Sequence, residues 1–316
     1  MRCHHEAAGQ SLVTDGPFRA PYVVVEDFMP SAVALEMRAT AEMHLGNPYQ
    51  HSMKTHANWD YWYVPGLYTY LRTDPENVLG ARLMGMFRSR LAQWTAERFG
   101  HFPARQCYLS LYINGCRQGQ HNDAANGRFG YVYSLTKDDR RTIGGETLIW
   151  NEENYFESRM HQPAWGPAFY QSISPRFNRL LVFDDRMPHA VQLVEGGMDP
   201  IEGRLVIHGH IQEAGPLISG PLPREAVLAA ADELVRRFAS ELGRSALVYR
   251  GPATIRFTVR SEGTVAAAEV IMDRVKRLSG QGPPAAEMLT RLVDKVLQLR
   301  FEHATEDTNV ILPFAF

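Results

Sequence analysis

The sequence predicts a mainly β protein with helices flanking its sheet and a small α+β domain at its end. Three observations carry this. Between residues 107 and 211 short β-branched or aromatic runs alternate with Gly, Asn, Asp and Pro, the pattern of an all-β sandwich or barrel. Ahead of it apolar residues recur at helical spacing, and behind it a Gly- and Pro-bearing stretch leads into helix, hairpin, helix and strand.

In chain order, residues 22–28 are β-rich, and Pro30-Ser31 opens a helix with Ser31 as N-cap. From Leu79, the residues Leu83, Phe87, Leu91 and Trp94 stack on one helix face until Gly100 stops it, a helix placed to buttress a sheet. Between these helices, residues 56–66 are aromatic-rich, lack a helical period and end on Pro65-Gly66, so they read as a loop. Trp59 and Trp62 there either stack on a substrate or pack across the mouth of the sheet, packing being the plainer reading. Strands are expected at 108–113, 129–135, 146–150, 179–183, 190–194 and 204–211, and a linker at 215–223 divides a first domain, 1–215, from a second, 223–316. In the second, Val227, Ala231, Leu234, Val235, Phe238 and Leu242 form an amphipathic helix ended by Gly243. Runs at 255–260 and 264–271 flank the turn Ser261-Glu262-Gly263, a helix carries Leu289, Leu292, Val293, Val296 and Leu299, and residues 309–316 close the unit in β-β-α-β order.

Composition excludes several classes. With 316 residues, 45% hydrophobic and 22% charged, the chain has the balance of a folded globular protein. Its 33 Lys+Arg against 35 Asp+Glu give a net charge of −2, so no global field recruits nucleic acid or an anionic membrane. Residues 1–10 lack the basic flank and apolar run of a secretion signal, and no apolar run is long enough to span a membrane, so a cytoplasmic protein is expected. Cys3, Cys107 and Cys116 are odd in number and show no CxxC spacing, which fits a reducing compartment and gives no zinc signature.

The chemistry concentrates on His121-Asn122-Asp123 after a β run and on His189, 66 positions beyond Asp123. Side chains two apart in a strand share a face, so His121 and Asp123 can grip one ion with His189 as third ligand. Two imidazoles and one carboxylate leave coordination positions open and suit an iron(II) oxygenase. Arg204, 15 residues after His189 at the head of another strand, can pair in bidentate fashion with the far carboxylate of a dicarboxylate. His208 and His210 share the face of Arg204 on a regular strand, and each either looks into the pocket or is a hydrogen-bonded core histidine. Asn126 and Arg128 either touch substrate or shape the turn, while Asp184 and Asp185 position the loop to His189.

Tyr112-x-x-Gly115 leading to His121-x-Asp123, the turn and strand Gly144-Gly145-Glu146-Thr147-Leu148, Leu181-Val182-Phe183 before Pro188-His189, and Arg204 resemble the prolyl-4-hydroxylase-like group of 2-oxoglutarate/iron(II) dioxygenases. The resemblance covers about 108–212 and implies a double-stranded β-helix, or jelly-roll, core. It implies Fe(II) on His121, Asp123 and His189, with 2-oxoglutarate and O₂ as co-substrates. Tyr112 would then lie beside 2-oxoglutarate, Arg204 would pair with its far carboxylate, and its 2-oxo acid end would chelate the metal. The sequence departs from the family in the interval before Arg204, which residues 195–200 lengthen; Arg179 and Arg186 are the competing candidates. Retention of the carboxylate at Asp123 sets the chain apart from halogenating members of the superfamily and makes hydroxylation, or a related oxidation such as desaturation, the expected outcome.

Phe257-Thr258-Val259-x-Ser261-x-Gly263-x-Val265, Leu299-x-Phe301 and Val310-x-Leu312-Pro313-Phe314-x-Phe316 resemble the TonB-like C-terminal domains of energy transducers and AgmX-type proteins. Without a membrane anchor, the likeness implies protein interaction, self-association or a packing appendage. The expected activity is hydroxylation of an unactivated C–H of a peptide, amino acid or small metabolite with release of succinate and CO₂. Its rivals are a non-catalytic β-helix binding module, against which the complete three-residue set with Arg204 argues, and a co-acid-independent cupin-type metalloenzyme, to which absence of succinate formation would point.

Overall fold

The structure is a computed structural model and describes residue 18 and residues 20–46, 59–150, 170–213, 215–278 and 282–316. Cys3 and the start of the aromatic stretch, 56–58, lie outside the described residues. The chain forms two compact units, one built from Pro21–Leu91 and Pro103–Gln212, the other from Ala92–Phe102, Glu213–Phe316 and the segment around Phe18.

The first unit contains β1 (Tyr22–Val25), α1 (Ser31–Gly46), β2 (Asp60–Val64), β3 (Tyr68–Thr73) and most of α2 (Glu76–Phe99). The strands β4 (His101–Tyr112), β5 (Arg117–His121), β6 (Phe129–Ser134), β7 (Thr147–Trp150), β8 (Tyr170–Ile173), β9 (Leu180–Asp184), β10 (His189–Val191) and β11 (Arg204–Glu213) follow. They make one curled antiparallel sheet in the order β1-β9-β6-β11-β4-β3-β5-β10-β7-β8, with β2 on β3, the large sheet of a jelly roll. Alternation sorts the side chains: on β11, Leu205, Ile207 and Ile211 are fully buried on one face, while Arg204, Val206, His208 and His210 line a cavity on the other. Helix α2 covers the sheet through Phe87, whose ring lies 5.0 Å from that of Tyr133 and 6.2 Å from that of Tyr131.

In this unit three expectations are corrected. The aromatic stretch is not a loop from Asp60 on but strand β2, paired with β3 in the register Asp60↔Arg72 to Val64↔Tyr68. Pro65-Gly66 is the hairpin turn, with Gly66 at φ 78 and the Leu67 N–H donating to Val64 O, and the aromatic run is the hairpin's half-exposed face. The first helical carbonyl of α1 is that of Pro30, which accepts from Ala34 N, so Pro30 rather than Ser31 holds the cap position. Helix α2 is interrupted at Gly80 (φ 75, ψ 161), which the apolar spacing did not reveal.

In the second unit β12 (Leu217–Ser219), β17 (Thr308–Ala315), β14 (Pro252–Val259) and β15 (Val265–Asp273) form a four-stranded sheet in that order, beside a short pair of β13 (Tyr249–Arg250) and β16 (Lys276–Arg277). Leu217–Ser219, expected as linker, is an edge strand because its backbone pairs with β17. Helices α3 (Arg224–Leu242) and α4 (Ala285–Leu297) bury Val227, Leu234, Phe238, Met288, Leu289, Leu292 and Val296 in a core with Ile255, Phe257, Val310 and Leu312. Phe99, at the end of α2, is 1% exposed, packs edge-on to Phe18 at 5.0 Å and Trp94 at 5.4 Å, and its carbonyl accepts from the buried Thr254 hydroxyl. Among the described residues no helix is long and apolar enough to cross a membrane.

A chain ended at Gly220 loses Thr254 and leaves Phe99 uncovered, so it is expected to aggregate or melt at lower temperature than the full chain. Thermal unfolding of the truncated protein checks this; a soluble monomer with an unchanged Tm would contradict the packing described.

Candidate metal centre and its pocket

His121 ends β5, His189 begins β10, and the two are direct cross-strand partners with ring centroids 4.2 Å apart. Each imidazole is anchored to its own chain two residues back: His121 Nδ1 lies 2.7 Å from Gly119 O and His189 Nδ1 lies 3.0 Å from Met187 O. A carbonyl oxygen only accepts, so Nδ1 carries the proton in both rings and each neutral ring keeps a lone pair on Nε2. Those Nε2 atoms converge on Asp123 Oδ2, at 3.7 Å from His121 and 3.4 Å from His189. One donor atom from each residue lies within 4.8 Å of the others, a set that can hold a metal ion.

Asp123 is not carried by the strand as its spacing implied. β5 stops at His121, and the carboxylate sits past its end, held by its N–H donating to Asp185 O at 2.9 Å. The Asn126 amide donates to Asp123 Oδ1 at 3.1 Å, which leaves Oδ2 to face the imidazoles. Burial works against ionisation of Asp123, but the neighbouring imidazole of His189, followed by those of His121 and His210, outweighs it and holds the carboxyl at about 2. Burial, followed by the neighbouring His189, lowers the pKa of His121. The site therefore keeps a charged carboxylate and a neutral imidazole at neutral pH, the forms in which these groups bind metal.

The donors open into a cavity of about 440 Å³. Arg204 lies in its wall, 1% exposed, with Nη2 donating to Thr147 Oγ1 at 3.1 Å and its guanidinium 4.7 Å over the Tyr112 ring. Its Nε is buried without a hydrogen-bond partner, and burial pushes its pKa below the usual arginine value. A buried guanidinium lacking a carboxylate is costly, so this wall is chemically matched to an incoming anion. Gly144 and Gly145 adopt φ 79 and 76; a Cβ at Gly145 would stand 3.0 Å from Arg204 Cδ, and one at Gly144 would stand 1.9 Å from Leu193 O. The competing arginines are committed elsewhere, Arg179 to Glu26 and Arg186 to Asp184.

Tyr112, Asn126, Trp62, His208 and His210 also line the cavity. Trp59 and Arg128 are not among the lining residues: Trp59 Nε1 donates to His44 Nε2 at 3.1 Å, and the Arg128 backbone bonds Ile211 O and Asp185 N. His208 Nε2 lies 2.8 Å from Ser110 Oγ, and burial drives its pKa down to about 3, so the ring is neutral. His210 Nδ1 pairs with Asp185 Oδ2 at 3.0 Å. Burial raises the fully buried Asp185 to about 6. Asp123, Asp185 and His210 thereby form a second cluster sharing Asp123. Sequence reasoning missed Gln118, whose amide lies 3.2 Å from His121 Nε2 and accepts from the Tyr112 hydroxyl, and also Thr147, Tyr68, Tyr70 and Arg72. The alternation Tyr68-Thr69-Tyr70-Leu71-Arg72 was the available signal for the last three, a strand period next to the stretch taken as a loop.

Two imidazoles and a carboxylate around one cavity, with a buried arginine in its wall, form a set that suits a non-haem metal site. Residues 107–212, which include all four of these groups, match the family described as the 2OG-Fe(II) oxygenase superfamily. The chain is thus an oxidoreductase of the 2-oxoglutarate-dependent dioxygenase type, with iron(II) as its metal and 2-oxoglutarate and O₂ as co-substrates. No curated protein matches the sequence. Among solved structures, it is similar to a prolyl-4-hydroxylase of Pseudomonas putida (15% identity, TM-score 0.44, covering 61% of this chain and 93% of that one). It is also similar to a prolyl hydroxylase of Trichoplax adhaerens in complex with a hypoxia inducible factor peptide fragment (16%, 0.41, 60% and 81%). A third is the epimerase SnoN in complex with Fe³⁺, alpha ketoglutarate and nogalamycin RO (15%, 0.45, 66% and 84%).

Asn126→Ala removes the donor that orients the Asp123 carboxylate and is expected to weaken metal affinity about tenfold. Competition for Fe(II) against a coloured chelator checks it, and an unchanged constant would show that the backbone alone sets the carboxylate.

Proposed function

We propose that His121, Asp123 and His189 ligate iron(II), that Arg204 holds the far carboxylate of 2-oxoglutarate with Tyr112 beside it, and that the chain hydroxylates an unactivated C–H of a peptide, amino acid or small metabolite, releasing succinate and CO₂. The observation that carries this is the meeting of two backbone-anchored Nε2 lone pairs with Asp123 Oδ2, because three electron-rich atoms so close call for a cation between them. When bound, iron(II) supplies activation of O₂ coupled to oxidation of the co-acid.

The protein's own work is positional. Gly119 and Met187 carbonyls fix the imidazole tautomers, and Asn126 turns the carboxylate inward. Arg204 contributes a charge-assisted pair of about 1.5 to 3 kcal/mol to co-substrate binding. The aromatic wall of Tyr68, Tyr70 and Tyr112 supports the donors, Tyr70 stacking on Tyr112 at 4.9 Å and the Tyr68 ring standing 5.3 Å from His121. The second unit holds none of these groups; we read it, in line with its TonB-like sequence motifs, as an interaction or packing module.

Anaerobic addition of Fe(II) and 2-oxoglutarate to the wild type is expected to give the visible charge-transfer band of a chelated 2-oxo acid, and His121→Ala with His189→Ala to abolish it. No band in the wild type, or the same band in the double variant, would refute the ligand set. Arg204→Leu is expected to raise the apparent constant for 2-oxoglutarate ten- to hundredfold while iron binding persists; equal constants would move the role to another residue.

A further inference from the structure

Arg72 is a second cation in the cavity wall. It stands on β3, its guanidinium carbon 3.6 Å from the Trp62 ring centroid and 4.4 Å from that of Tyr108. The planar fork is therefore held between two aromatic residues on neighbouring strands, Trp62 from β2 and Tyr108 from β4, a mounting that fixes its orientation before any ligand arrives. The Tyr70 hydroxyl oxygen lies beside it as an acceptor, while its Nε is buried with no partner. Asp60, its cross-strand partner, makes no ion pair with it, and neither does any other carboxylate among the described residues.

Charge counting in the cavity gives this arginine a task. The side chains of its wall include one carboxylate, Asp123, and two guanidinium groups, Arg72 and Arg204. His208 is neutral, and His210 is matched by Asp185. On the reading above, iron(II) adds two positive charges and 2-oxoglutarate two negative ones. One positive charge is left over, and it belongs to the arginine that the co-substrate does not use. A cavity of about 440 Å³ that also holds the co-substrate admits only a small group of the partner.

We propose that Arg72 is the substrate-binding group of this pocket and that the substrate is a small carboxylic acid bound as its monoanion through a bidentate pair with the Arg72 guanidinium. A single planar cation matches the shape and charge of a carboxylate; a phosphate dianion would ask for a second cation on that side. The aromatic residues that hold the guanidinium also supply apolar surface for the body of the acid.

The proposal rests on the iron and 2-oxoglutarate reading, and its test keeps the two apart. Acetate, phenylacetate and N-acetylglycine, each beside its amide, are titrated calorimetrically into the anaerobic Fe(II)·2-oxoglutarate protein, with the charge-transfer band recorded on the same sample. Expected is saturable binding of at least one acid, at least tenfold weaker binding of its amide, a tenfold or greater loss in Arg72→Gln, and partial recovery in Arg72→Lys. No binding of any acid, amides as good as acids, or undiminished binding in Arg72→Gln with the band present overturns it. So does a rise in the 2-oxoglutarate constant on Arg72→Gln comparable with that of Arg204→Leu, since Arg72 would then serve the co-substrate. Absence of the band in the wild type instead strikes the underlying assignment of iron and co-acid.

Discussion

The site depends on one register. Because β5 and β10 pair so that His189 sits opposite His121, two imidazoles from segments 68 residues apart (189 − 121) face each other, and a slip of one residue would turn one of them away from the cavity. The carbonyls of Gly119 and Met187 then fix the rings by the same local device, a bond two residues back along the chain. Most of the donor geometry is thus strand pairing expressed through side chains. The third donor is the exception: Asp123 stands beyond the strand and is placed by Asp185 O and Asn126.

The cavity's second organising feature is unsatisfied charge. Folded proteins bury arginine with a partner when they can. This pocket buries or half-buries two with orphaned Nε atoms and sets Tyr112 against Arg204 and Trp62 and Tyr108 against Arg72, rings that tolerate a cation without neutralising it. Such a wall is less stable empty than filled with anions, and that difference is available as binding energy.

Much of this was legible in the sequence. The strands of the core could be read because Gly, Asn, Asp and Pro punctuate them, and the HxD and distant His by their residue types, although the strand argument fails for Asp123, which stands past the end of β5. The second unit's helix-hairpin-helix-strand order was plain from periodicity. Hairpin β2–β3 was lost because a half-exposed aromatic strand carries no clean alternation, and with it went Arg72, Tyr68 and Tyr70. Gln118 acts through its amide beside a donor, and no residue type announces such a role. That Ala92–Phe102 folds with the carboxy-terminal segment is a matter of long-range packing, which local pattern does not encode.

The paired glycines at 144 and 145 set a boundary for anyone wishing to redesign this pocket. Neither has a side chain with which to touch a ligand, yet one lies under the Arg204 stem and the other against the Leu193 carbonyl, in a backbone shape that other residues adopt only under strain. Libraries aimed at new substrates can vary a wall residue such as Ala104. The same randomisation at 144 and 145 would displace Arg204, the anchor of the co-acid on the reading proposed above, and would read out as lost turnover for every substrate alike.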